Sequence, residues 1–112
     1  MSQQAGAARV RLPERARRGE VIEIRAMIEH PMESGFRLNN VGRPIPRHIV
    51  ESFTCEYDGR EIFRATLHPA VSTNPYFLFY TVATVSGELR FTWKDDRGGV
   101  TTHIARIEVD PD

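Results

Sequence analysis

Val21-Ile22-Glu23-Ile24-Arg25-Ala26-Met27-Ile28-Glu29 decides the fold class. Ile22, Ile24, Ala26 and Ile28 fall on one side, and Glu23, Arg25 and Glu29 on the other. Successive side chains of a strand point to opposite faces, so a period of two marks a strand with one buried face. His30-Pro31 ends it. Downstream the pattern repeats. Ile49 to Tyr57 sets Phe53, Cys55 and Tyr57 on a common face, and Asp58-Gly59 is a two-residue hairpin signal. Glu61 to Leu67 returns with Phe63, Ala65 and Leu67 in phase. Tyr76 to Ala83 is a further strand, followed by a Ser86-Gly87 turn. Leu89, Phe91 and Trp93 alternate with Arg90, Thr92 and Lys94, and Asp95 to Gly99 reads as a solvated hairpin tip. In the last strand, Thr101 to Val109, Ile104 is out of phase with Ile107 and Val109, which predicts a bulge or an edge position.

No helical period of useful length appears. The strand count predicts an all-β fold, an immunoglobulin-like antiparallel β-sandwich of about seven strands. The Cys–Trp–Cys pattern of antibody domains is absent, so the likeness is one of architecture. The 112 residues suit one domain. Residues 1–8, small and polar, read as a disordered tail, and residues 9–109 as the domain. Arg15 to Gly19 reads as a basic turn. Residues 30–47 hold three prolines and two glycines and read as a long loop, with His68 to Pro75 as a second.

Fifteen basic and fifteen acidic residues give a formal net charge of zero. That balance asks for neither a nucleic acid nor an anionic membrane as partner. The longest apolar stretch, Tyr76 to Val85, is too short to span a bilayer. Met1 to Val10 has no apolar h-region, so no signal peptide is expected; taken alone, that points to the cytoplasm.

Cys55, the single cysteine, falls mid-strand in phase with Phe53 and Tyr57 and reads as a small buried hydrophobe. The functional alternatives are a bond to a partner chain, a sensitive thiol, or the nucleophile of a thiol enzyme with a histidine as base. His30, His48, His68 and His103 all lie more than ten residues apart, so no metal site is expected. His30 and His68 each precede proline at a strand end and could still meet in space to bind a partner. No GxSxG elbow, GxGxxG or GxxxxGK[ST] pattern is present, so neither catalytic residues nor a cofactor is expected.

The segment Tyr76-Phe77-Leu78-Phe79-Tyr80-Thr81-Val82 is apolar on both faces. Phe77 and Phe79 point one way, and Tyr76, Leu78, Tyr80 and Val82 the other. A two-sheet sandwich buries one face of each sheet. The other face needs a second cover, either the 30–47 loop or another protein. Tyrosines suit such surfaces, being apolar with a polar tip.

His30-Pro31-Met32-Glu33-Ser34-Gly35, Arg43-Pro44-Ile45-Pro46-Arg47, Leu67-His68-Pro69-Ala70-Val71-Ser72-Thr73-Asn74-Pro75-Tyr76 and Phe91-Thr92-Trp93-Lys94-Asp95-Asp96 resemble the SoxZ family. The similarity runs from about residue 9 to 109. It implies an immunoglobulin-like sandwich that pairs with SoxY in a heterodimeric carrier of the periplasmic thiosulfate-oxidising (Sox) system. By the same resemblance, SoxY holds the reactive cysteine on a Gly-rich C-terminal arm that is served by the Sox enzymes. This chain, ending Val109-Asp110-Pro111-Asp112, carries no such arm. The resemblance also implies export bound to a signal-bearing SoxY, hence a periplasmic address without a leader of its own. The expected partner-binding residues are Tyr76, Phe77, Phe79 and Tyr80, of which only the outward half can serve, with His68 and Asn74 from the second loop. A homodimer through the same face is the alternative when SoxY is absent.

Overall fold

The computed structural model describes residues 7–111. Among them are eight strands: β1 (Ala8–Arg11), β2 (Arg15–Arg17), β3 (Val21–Ile28), β4 (Val50–Tyr57), β5 (Arg60–Thr66), β6 (Tyr76–Val82), β7 (Gly87–Asp95) and β8 (Val100–Asp110). They form two sheets, ordered β1-β3-β6 and β2-β8-β7-β4-β5. The result is the all-β, immunoglobulin-like sandwich that the alternation predicts. Ile22, Ile24, Ala26 and Ile28 are all buried, as are Phe53, Cys55, Leu89, Phe91 and Trp93 on the facing sheet.

Aromatic rings join the layers. Phe53 stacks on Phe77 with ring centres 4.6 Å apart, and Phe63 stacks on Phe79 at 4.3 Å. Phe53 also meets Trp93 at 5.0 Å. Such pairs add about 0.5–1.5 kcal/mol each beyond area burial. Asp58 and Gly59 both have positive φ (52° and 81°), the geometry of the hairpin turn their sequence signals. Tyr57, at the end of β4, donates its hydroxyl proton to the Val85 carbonyl and accepts from the N–H groups of Thr84 and Val85, each at 3.1 Å.

Two expectations need correction, and one choice left open is decided. Arg15–Arg17 is not a turn but β2, which pairs in parallel with Glu108–Asp110 of β8. Arg15 also holds Asp110 in an ion pair at 3.0 Å. Ala8 belongs to β1, paired antiparallel with Ile28, and Ala7 accepts the Glu29 N–H at 3.0 Å, whereas residues 1–6 of the proposed tail lie outside the described residues. Finally, β8 pairs with β7 in unbroken register from Lys94–Val100 to Gly87–Ile107, so Ile104 marks no bulge. It projects from the outer face where β2 does not reach, which is the edge position.

Strand direction gives the sandwich two poles. The 29–49 loop, the 67–75 loop and the Asp95–Gly99 turn gather at one; Asp58-Gly59, the 83–86 turn and the β2–β8 pairing gather at the other.

Candidate functional site

The two outer faces differ in chemistry. On the five-stranded sheet, β7 turns Glu88, Arg90, Thr92 and Lys94 outward, a solvated surface. On the three-stranded sheet, β6 turns out Tyr76, Leu78, Tyr80 and Val82, all exposed; Tyr76 is 54% accessible and Tyr80 59%. The β3 register sets Val21 beside Val82, Glu23 beside Tyr80, Arg25 beside Leu78 and Met27 beside Tyr76. Tyr80 donates to Glu23 at 3.3 Å, and Arg25 bonds Glu23 at 3.0 Å. Four apolar side chains in a row with ionic neighbours on one flank make a surface suited to a second protein.

Phe77 and Phe79 are the inward half of the set, held by Phe53 and Phe63. Tyr76 and Tyr80 form the outward half. Of the two covers left open for this face, the 30–47 loop does not supply one, because its base packs at the pole and the outward residues of β6 are exposed. His68 is exposed, in a groove of about 440 Å³ with Arg47, Ile49 and Lys94. Asn74 acts as a joint. With φ at 55°, it donates its N–H to the His30 carbonyl at 2.9 Å, and its Oδ1 accepts the His30 N–H at 2.8 Å. Asn tolerates that left-handed backbone better than most residues.

The pole holds a cluster that no short spacing announces. His30, His48 and Asp95 bring one donor atom each to within 4.8 Å of one another. The His30 ring is buried and lies edge-to-face on His48, centres 4.5 Å apart, whereas His68 is exposed. His48 Nε2 is 3.3 Å from Asp95 Oδ2. Asp95 Oδ1 accepts the N–H of Arg97 at 2.9 Å and of Gly99 at 2.7 Å. Burial alone would raise the Asp95 pKa, but these two N–H groups and His48 outweigh it and hold the carboxyl below its ordinary value. Next to it, Asp96 accepts the Ile49 N–H at 3.1 Å and Arg47 Nε at 3.0 Å, while Arg97 donates to the Arg47 carbonyl at 3.2 Å. The Asp95–Gly99 turn is thus the clamp for the base of the long loop, not a solvated tip.

Two imidazoles and a carboxylate are metal-ligand types. The donor geometry opposes that use. His30 Nδ1 accepts the Met32 N–H at 3.0 Å, so in the neutral ring Nε2 carries the proton and has no lone pair to offer. Burial, then His48, lowers the His30 pKa and keeps the ring neutral. A cation at Nε2 would have to take the acceptor away from Met32.

Cys55 is fully buried, and burial followed by the nearby Glu56 pushes its thiol up to about 12. A nucleophilic cysteine needs the opposite shift together with solvent access.

The sandwich resembles several solved structures. It aligns with a superoxide reductase (neelaredoxin) from Ignicoccus hospitalis at TM-score 0.71 and 13% identity, over 96% of this chain and 83% of that one. The sulfur carrier protein SoxY from Chlorobium limicola f thiosulfatophilum aligns at 0.68 and 12%, over 96% and 83%. A putative superoxide reductase from Thermotoga maritima aligns at 0.67 and 16%, over 96% and 89%. At these identities the likeness is one of fold. No curated protein matches the chain. The sequence model of sulphur oxidation protein SoxZ matches residues 10–106, nearly the whole chain. The chain belongs to the SoxZ family.

Proposed function

We propose that the chain is the non-catalytic subunit of a heterodimeric sulfur-compound carrier, the scaffold for a SoxY partner in periplasmic thiosulfate oxidation. The observation that carries this reading is the uncovered apolar row Tyr76, Leu78, Tyr80 and Val82, against charged and polar residues along the central strand β7 of the other outer face. Docking it would bury roughly 800 Å² per partner, the usual size of a stable interface. The chemistry is passive. SoxY supplies the cysteine that bears the sulfur intermediate, and this chain supplies a rigid base and a surface that the Sox enzymes meet. Export bound to SoxY gives the periplasmic address. The rival reading, a thiol enzyme built on Cys55, lacks an accessible or activated thiol.

Leu78→Asp tests the interface. The new carboxylate would sit opposite Arg25 on an exposed position, so the fold tolerates it. Co-purification with SoxY should be lost while the melting temperature stays within about 3 °C, as befits a surface change. Pairing at undiminished affinity would show that SoxY docks elsewhere. Sedimentation at several concentrations, without SoxY, reads whether two copies pair through the same face.

A further inference from the structure

The long loop does not lie flat on the sandwich. Residues 36–44 are exposed without exception. The molecule is 63 Å along its longest axis, against roughly 26 Å for an eight-residue strand. The segment is nonetheless built. Ile45 N–H donates to the Arg37 carbonyl at 2.8 Å and Asn39 N–H to the Arg43 carbonyl at 2.8 Å. Leu38 and Pro44 form a β-bridge. Asn39 Oδ1 accepts the N–H groups of Val41 and Arg43, each at 3.0 Å, and closes the tip. The base is fixed on both strands: Glu33 and His48 exchange backbone hydrogen bonds at 2.8 and 2.9 Å, and Arg47 is tied to Asp96.

This hairpin has no core. Its large apolar side chains, Phe36 (82% accessible), Leu38 (58%) and Val41 (76%), all lie in solvent. Backbone bonding that holds apolar groups outward leaves them nothing to cover among the described residues. A pre-ordered element of this kind binds without first losing loop entropy. The finger is also charged: residues 31–47 carry three arginines against one glutamate, a net of +2, in a chain whose net is zero. Arg37 is paired with Glu33, and Arg47 with Asp96, whereas no acidic partner faces Arg43 among the described residues.

We propose that the 36–45 finger is a second docking element, which inserts Phe36, Leu38 and Val41 into an apolar groove with an acidic rim on the same SoxY partner. This rests on the function proposed above. Continuity favours one occupant for both surfaces. The finger springs from the pole where β6 begins; His30 is bonded to Asn74, two residues before Tyr76, and Thr73 donates to the Pro31 carbonyl at 3.2 Å. A partner seated on Tyr76 is therefore within reach of the finger's base.

The test uses full-length chain and its cognate SoxY. Phe36→Ser with Val41→Ser should weaken binding at least tenfold in calorimetry while leaving the melting temperature unchanged. Arg43→Glu should weaken it and reduce its salt dependence. On binding, amide exchange at Val41, Arg43 and Ile45 should slow beyond its level in the free chain. If unaltered chain and both finger variants bind SoxY equally well, the finger proposal is overturned and the carrier reading stands. If the unaltered chain does not bind SoxY at all, both fall. A homodimer abolished by the double variant, with SoxY affinity unchanged, assigns the finger to a second copy and overturns the proposal.

Discussion

Replacing Asp95 with alanine removes the centre of the clamp, and its cost follows from the contacts. The side chain is 2% accessible and accepts from two backbone N–H groups while facing His48. Hydrogen bonds to a charged group contribute about 1.5–3 kcal/mol each, and a donor left without a partner inside the protein costs about 1–3. Water can reach the turn and recovers part of this. Asp95→Ala should therefore destabilise by about 3–4 kcal/mol, a large share of the 5–15 kcal/mol typical of a domain. At this chain length that is roughly a 15–20 °C fall in melting temperature. Asp95→Asn keeps one carbonyl oxygen for the Arg97 and Gly99 amides and should cost about half as much. Differential scanning calorimetry reads the melt, and amide exchange over residues 31–49 reads the clamp. The exchange should rise there before it rises in β4 or β7. A melting temperature within 3 °C of the parent for Asp95→Ala would refute the reasoning and return the turn to an ordinary solvated tip.

Two further outcomes are expected. With its thiol at about 12, Cys55 is roughly one part in 10⁴ thiolate at pH 8, so native protein should resist alkylation that unfolded protein undergoes within minutes; rapid labelling of folded chain would contradict the burial. Stability should hold between about pH 6.5 and the onset of ordinary thiol ionisation near 9, above which unfolded Cys55 alone ionises, and should fall as pH drops below 6.5, because unfolded His30 takes up a proton at its ordinary value whereas the buried ring, lowered, does not. A second loss should begin below about 3.8, where unfolded Asp95 is protonated before the folded, lowered carboxyl. Urea midpoints at half-unit pH steps check both, and His30→Gln should erase the upper step alone.

The strands that pack one face were legible because burial imprints a period of two on the residues themselves; Val21–Ile28 and Gly87–Asp95 are plain examples. Asp58-Gly59 was legible because its turn needs positive φ at both positions. Strand β2 was not. Arg15-Ala16-Arg17 has one apolar residue, and only the distant end of β8 makes it a strand. The outward side of β6 stayed open for a different reason. Both of its faces are apolar, and the choice is made by Phe53 and Phe63, which arrive from other strands. The polar cluster was invisible because 18 residues separate His30 from His48, and 47 separate His48 from Asp95; only the folded pole joins them. In the long loop, proline and glycine announced irregular backbone, but the bridges that stiffen residues 37–45 leave no periodic mark.

The course of β1 and β8 dictates how this chain tolerates fusion. Ala7 accepts the Glu29 N–H beside His30, whereas Asp110 accepts the Arg18 N–H at the far pole. An affinity handle or fluorescent protein joined ahead of Ala7 leaves the body close to Tyr76 and the finger and would crowd an arriving subunit. The same cargo placed after Asp110 departs about one strand length away, roughly 25 Å, and leaves that end clear.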